Sequence, residues 1–455
     1  MSRGAARGRE ILTVAARHAL HAAAETRLGL RSREHRQAIV ARRVRRALED
    51  LGPGFIKLGQ LLSVRPDLVP LAWTTELQQL QRQAPPVPTE HLRAIVRTEL
   101  GAPPDAIFDA FEAEPRASAS VAQVHRARLR APYRPVIGDP LPAGTAVAVK
   151  VLRPGIDARL ADDIAWARRW ATRLERLPGV ARLGASAFLD EAEASLEREL
   201  DLREEGRVAD RFARDFAADP IVVVPRVVWT HSTRRVLVTE WLDGWHLSEL
   251  GPAERAGIDA RHLAEHGARA FLRQVLVLGR FHADLHSANL LITRDGRIGY
   301  LDFGIVGTAD ATRRRGLARL LAATAYGEPD LALRASRELG LDIPPDREEA
   351  VVREVEVLAA RHLRHRSPAD VRGYATGFLA LLRRHRIAVP RGYGLLVKAL
   401  LTVEGVARGL YPDLDVVEVA RPEVTRLLLS DVLATATLPE RASRALRAGV
   451  RAWIA

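Results

Sequence analysis

The stretch Phe281-His-Ala-Asp-Leu-His-Ser-Ala-Asn-Leu-Leu-Ile-Thr-Arg-Asp-Gly-Arg-Ile-Gly-Tyr-Leu-Asp-Phe-Gly304 constrains this 455-residue chain more than any other. It reads as a polar loop, an apolar strand, a turn, a second apolar strand and a second polar loop. The strands are Leu290–Thr293 and Ile298–Leu301, and Asp295-Gly296 between them is a strong hairpin signal. A hairpin returns its two ends to one place, so Asp284 and Asn289 can meet Asp302. Two carboxylates and an amide oxygen are hard ligands, suited to Mg²⁺ with phosphates. A competing zinc reading takes His282 and His286, four residues apart. It needs a helix and an open coordination position, whereas this stretch runs straight into strands.

The layout resembles a protein-kinase catalytic loop followed by Asp-Phe-Gly. Other parts of such a site are then sought upstream. Val147-Ala-Val-Lys150 places a lysine at the end of an apolar strand, as a phosphate-binding lysine requires. Of 69 lysine and arginine residues, the only lysines are Lys57, Lys150 and Lys398. A compact ammonium and a planar guanidinium are not equivalent, so a surviving lysine suggests a task arginine cannot perform.

A partner glutamate for Lys150 should come from the helical stretch 185–216, which offers Glu197, Glu199, Asp201, Glu204 and Glu205. Ala117-Ser-Ala-Ser-Val121 is a run of small residues ahead of strand-like sequence. Its peptide N–H groups could cradle phosphates, and alanine makes such a loop stiffer than glycine would. The break at Glu240-Trp-Leu-Asp-Gly244 fits a hinge between lobes, where the backbone near Glu240 could take an adenine edge. Lys57 and Gln60 lie one turn apart on one side of an amphipathic helix.

The apolar fraction of 47% allows a large core, and the absence of cysteine excludes disulfides and thiolate metal sites. The formal charge is +13, but the arginines are interleaved with acids, which favours a solvated surface over nucleic-acid binding. No stretch without Asp, Glu, Lys or Arg exceeds ten residues, so no transmembrane helix is expected. The N-terminus lacks the apolar core of a secretory signal. A cytoplasmic protein with peripheral contact to an anionic membrane is the expectation. Ile11, Leu12, Val14 and Ala15 could face lipid or, as a packing helix, the protein itself.

Lys57-Leu-Gly-Gln60, set within Phe55…Arg65-Pro66-Asp67, is a signature that ordinary kinases lack. With the alanine-rich loop, Arg153-Pro-Gly155, Glu199-Leu-Asp201 and Lys398…Glu404-Gly, the chain resembles the UbiB-type atypical kinases linked to quinone biosynthesis. The resemblance runs from about Leu51 to Asp415. It implies an α+β, bilobal protein-kinase-like fold, with a helical N-terminal extension over the nucleotide cleft and a mostly helical C-lobe. The segments expected are 1–50 (basic helices), 51–110 (the extension), 111–242 (N-lobe with inserted helices) and 243–455 (C-lobe).

The resemblance assigns Lys150 to ATP phosphates and Glu205 as its partner. It sets Glu199 and Asp201 against Lys57, Asp284 as the catalytic aspartate, and Asn289 and Asp302 on Mg²⁺. Loop residues Ala117, Ser118, Ala119, Ser120 and Val121 contact the nucleotide, with Gln60 and Glu240 nearby. The loop departs from the family's His-Ala-Asp-Pro-His-Pro-Gly-Asn at Leu285, Ser287 and Ala288. The function expected is an ATP- and Mg²⁺-dependent kinase or ATPase for quinone or isoprenoid-lipid metabolism, with room for a homodimer. The alternative is a non-catalytic nucleotide-binding scaffold. A small-molecule kinase of the aminoglycoside type leaves residues 55–67 unexplained.

Overall fold

The structure, a computed structural model, describes residues 3–27, 33–63, 68–69, 73, 76–80, 84–176, 185–251, 257–326, 328–364, 368–390 and 392–435. Arg65, Pro66, Asp67 and Pro70 of the signature region, Gln83, the turn at Gly327 and residues 436–455 lie outside them. The chain divides into two units. One is Met1–Ala217 with Val224–Leu242; the other is Ala218–Val223 with Asp243–Ala455.

Alternation of side chains organises the first unit. Its antiparallel sheet has the order β1 (Phe108–Phe111), β3 (Ala122–Leu129), β4 (Ala146–Leu152) and β6 (Val236–Glu240), with β2 (Ala117–Ser118) added to β3. On β4, Val147, Val149 and Val151 are fully buried with Val236 and Val238 of β6. Helix α4 (Thr89–Leu100) supplies Leu92 and Val96 to that face. Period two sends Lys150 to the opposite face.

The helices α1 (Arg3–Arg27), α2 (Arg33–Leu51), α3 (Pro53–Leu62), α5 (Ile156–Leu174) and α6 (Ala185–Glu199) share a second core. Ile11, Leu51, Phe55, Leu58, Phe188 and Leu189 meet there. The apolar side of α1 is thus taken up by protein at Ile11 and Val14, while Leu12 stays exposed. Arg7 fastens α1 by donating to the buried Asp163 Oδ1 and the Leu51 carbonyl, each at 2.7 Å. A Cβ on Gly59 would stand 2.5 Å from a Leu80 methyl and 2.7 Å from a Leu48 methyl, so a side chain at this position of α3 would have to displace both leucines.

The second unit carries a sheet of order β5 (Val222–Val223), β10 (Ile298–Tyr300), β9 (Leu290–Thr293) and β7 (Gly244–His246). The strand at 222–223 joins this sheet, pairing Val222 with Ile298. The expected hairpin is present. Its turn is closed by the Gly296 N–H on the Thr293 carbonyl at 2.9 Å, with Gly296 left-handed at φ 80°. A short ladder pairs β8 (Arg280–His282) with β11 (Val306–Thr308). Its helices include α8 (Ala260–Arg273) before the hairpin, then α9 (Ala311–Tyr326), α10 (Pro329–Glu338), α11 (Glu348–Ala359), α12 (Val371–Arg384) and α13 (Tyr393–Leu410) after it. Among the described residues, no helix is long and apolar enough to cross a membrane.

Candidate functional site

In the first unit, Lys150 Nζ donates to both carboxylate oxygens of Glu205, at 2.6 and 2.7 Å. Glu205 sits in the first turn of α7 (Leu202–Asp215). The helix comes this close because its next residue has no side chain: a Cβ on Gly206 would lie 2.9 Å from Trp229 and 3.1 Å from Leu237. The Trp229 indole N–H also donates to Asp210 Oδ2 at 2.8 Å, tying α7 down one turn later. Of the five acids open as partners, the fold brings Glu205 to Lys150.

Lys57 Nζ reaches Glu199 at 2.9 Å, joining α3 to the last residue of α6. Asp201 is not brought to Lys57. It caps α7 by accepting the Arg203 N–H at 3.1 Å and binds the Arg203 guanidinium at 2.8 and 2.6 Å. These bonds hold its carboxyl below the ordinary range despite partial burial. Residues two apart cannot face one way on a helix, and here α6 has ended between them. Gln60 is half-buried on α3.

The small-residue loop is a tight turn, closed by the Ala119 N–H on the Ala122 carbonyl at 2.9 Å. Arg153 fastens it from outside. Its guanidinium donates to the Ala119 carbonyl and Ser118 Oγ at 2.8 Å, and to the Pro85 carbonyl at 2.9 Å. Ser120 is buried, as is Val121, whose carbonyl accepts the Arg153 N–H at 2.9 Å. Glu240 turns its carboxylate to Arg226, at 2.8 and 2.5 Å. Its contribution to a ligand would therefore come from the backbone.

In the second unit, two backbone links draw the polar loops together. The Ala283 N–H bonds the Ile305 carbonyl at 3.0 Å, and the Leu301 N–H bonds the Asn289 carbonyl at 2.9 Å. Asp284 and Asp302 thereby both act on the His282 ring between them. Burial nevertheless pushes that imidazole down. Its Nδ1 accepts the Asp284 N–H at 3.2 Å and its Nε2 faces the Leu301 carbonyl at 3.3 Å, the pattern of a neutral ring. With both nitrogens engaged by backbone, His282 has no lone pair to give zinc.

Asn289 Nδ2 donates to the Asp284 carbonyl at 3.0 Å, so its amide oxygen is the atom that could serve a cation. Asp302 is exposed and holds φ at 53°, a left-handed angle uncommon outside glycine, with Oδ1 accepting the Gly304 N–H at 3.2 Å. One carboxylate and one amide oxygen suit Mg²⁺, which keeps several ligands for water and phosphate. Among the described residues no cluster of three His, Cys, Asp or Glu could hold a metal by itself.

Two residues were given no role from the sequence. Lys398 of α13 donates to Asp284 Oδ1 at 3.1 Å. Its rarity as a lysine was the available signal. Gln274, fully buried in an otherwise apolar helical run, accepts the His282 N–H at 2.9 Å and donates to the Tyr300 hydroxyl at 3.3 Å. A lone amide in such a run was its signal.

A model of the ABC1 atypical kinase-like domain matches residues 79–333, and one of the UbiB helical domain matches residues 374–415. An uncharacterized protein of Synechocystis sp. is 34% identical over 397 residues, covering 85% of this chain and 55% of that protein. The probable protein kinase UbiB of Marinobacter nauticus is 36% identical over 390 residues, covering 84% and 68%. The chain thus spans little more than half the length of the first relative and about two thirds of the second. Among solved structures, Rv3197 of Mycobacterium tuberculosis, determined in complex with erythromycin, matches with a TM-score of 0.55 at 25% identity. That match covers 82% of this chain and 93% of the other.

Proposed function

This chain belongs to the family of UbiB-type, ABC1 atypical kinase-like proteins, and from that premise we propose that it is an ATP- and Mg²⁺-dependent phosphotransferase or ATPase. Its service to quinone or isoprenoid-lipid metabolism, and a peripheral contact with anionic membrane, belong to the same reading. The observation that carries it is Lys150 bound through both oxygens of Glu205. That pair holds an ammonium on β4, on the face opposite the buried valines, ready for phosphate oxygens.

In this reading the alanine-rich turn offers N–H groups to the nucleotide, and Asn289 and Asp302 hold Mg²⁺. Bound there, the ion would draw negative charge from the phosphate oxygens. Asp284 orients the attacking O–H of water or an alcohol. As the new O–P bond forms and the bond from the γ-phosphorus to its bridging oxygen breaks, the proton passes to Asp284 and ADP leaves. The test is phosphate release from Mg–ATP by the full chain. Asp302→Asn should slow it at least about 100-fold, in line with losing one preorganised charge at a reacting centre. An Asp302→Asn rate equal to that of the wild type overturns the reading.

A second reading, a nucleotide-sensing scaffold that does no chemistry, is favoured by two contacts. Lys57 is already committed to Glu199, and Arg153 already fastens the small-residue turn. ATP would then act by binding one conformer better than another.

A further inference from the structure

Each of the three lysines of this arginine-rich chain ends on a carboxylate of its own unit: Lys57 on Glu199, Lys150 on Glu205 and Lys398 on Asp284. The third pair is the one to which the sequence assigned no partner, and 114 residues separate its members. We propose that Lys398, presented by the late helical region, is the positioning residue that fixes the Asp284 carboxylate for the transfer step. The proposal rests on the function proposed above and deepens it.

The geometry is specific. Both side chains are mostly buried, 13% and 14% exposed, so water competes weakly for the pair. Lys398 meets Oδ1 at 3.1 Å, while Oδ2 lies 3.8 Å from His286 Nε2. The backbone beneath is held too, by the Asp284 N–H on His282 and by Asn289 on the Asp284 carbonyl. An ammonium is a compact point charge, and here it meets the carboxylate at Oδ1. A guanidinium presents a wide fork that tends to take both carboxylate oxygens. That difference gives a reason for lysine at this place in a chain that uses arginine almost everywhere.

The helix bearing Lys398 is itself anchored. Glu404, buried on α13, bonds Arg408 at 3.1 Å and lies 3.9 Å from Arg372 on α12. Helix α13 also packs along α8, the helix that leads into the catalytic loop. The late helices thus complete the site rather than merely support it.

The experiment compares Mg–ATP turnover and ATP affinity in the full-length wild type, Lys398→Met, Lys398→Ala and Lys398→Arg. Lys398→Met and Lys398→Ala should lower kcat about 100-fold, with affinity within about threefold of the wild type. Methylammonium should restore part of the activity to Lys398→Ala, a response that a merely structural role would not give. Lys398→Arg should stay slow. Wild-type turnover in Lys398→Ala overturns the proposal alone, as does joint loss of turnover and binding without amine rescue. A wild type that binds Mg–ATP and leaves it intact overturns the underlying reaction as well.

Discussion

Histidine chemistry at the level of single residues makes a testable statement about pH. Burial lowers the pKa of His125, His231 and His282. His125 shows the neutral pattern, donating from Nδ1 to the Glu112 carbonyl at 2.9 Å and accepting Gln123 Nε2 at 3.0 Å. In the unfolded chain all three titrate near the ordinary value of about 6.5. The unfolded state therefore binds protons first, and stability present above that value is lost as pH falls below it. Denaturant midpoints measured at pH 7.5 and 5.5 should show a clear decrease. A midpoint unchanged across that window would contradict the neutral assignment of these rings.

The elements show what could be read from sequence and what could not. The hairpin of β9 and β10 was legible, because two short apolar runs flank Asp295-Gly296 and the geometry is local. Lys150 was legible too, because strand alternation alone puts it opposite three valines. Its partner Glu205 came from the family resemblance and not from periodicity: five acids crowd one helical stretch, and Gly206 brings α7 close through its approach to Trp229. Asp201 went to Arg203 because a helix ends before it, and helix ends are poorly marked in an alanine-rich sequence. Lys398 was hidden by sequence distance. The Gly206 argument predicts that Gly206→Val pushes α7 away from β6. It should cost about 1–3 kcal/mol by overpacking and weaken ATP binding by separating Glu205 from Lys150. Thermal unfolding with and without Mg–ATP checks both, and a variant with wild-type stability and nucleotide response would contradict it.

At the scale of the whole molecule, each of the two units carries its own set of ordered charges. In one, Glu205 holds the Lys150 ammonium; in the other, Lys398 holds the Asp284 carboxylate and Asn289 bonds the Asp284 carbonyl. Family membership supports this kinase-like reading, while the acceptor of the phosphoryl group stays with the proposal. Enzyme and scaffold differ most directly in the fate of bound ATP. The decisive measurement is a single turnover with full-length protein in excess over Mg–ATP, followed by nucleotide analysis of quenched samples. The account predicts conversion to ADP in the wild type, slowed at least about 100-fold in Asp284→Asn while ATP remains bound. Fully bound ATP that persists unchanged for many hours in the wild type would contradict it.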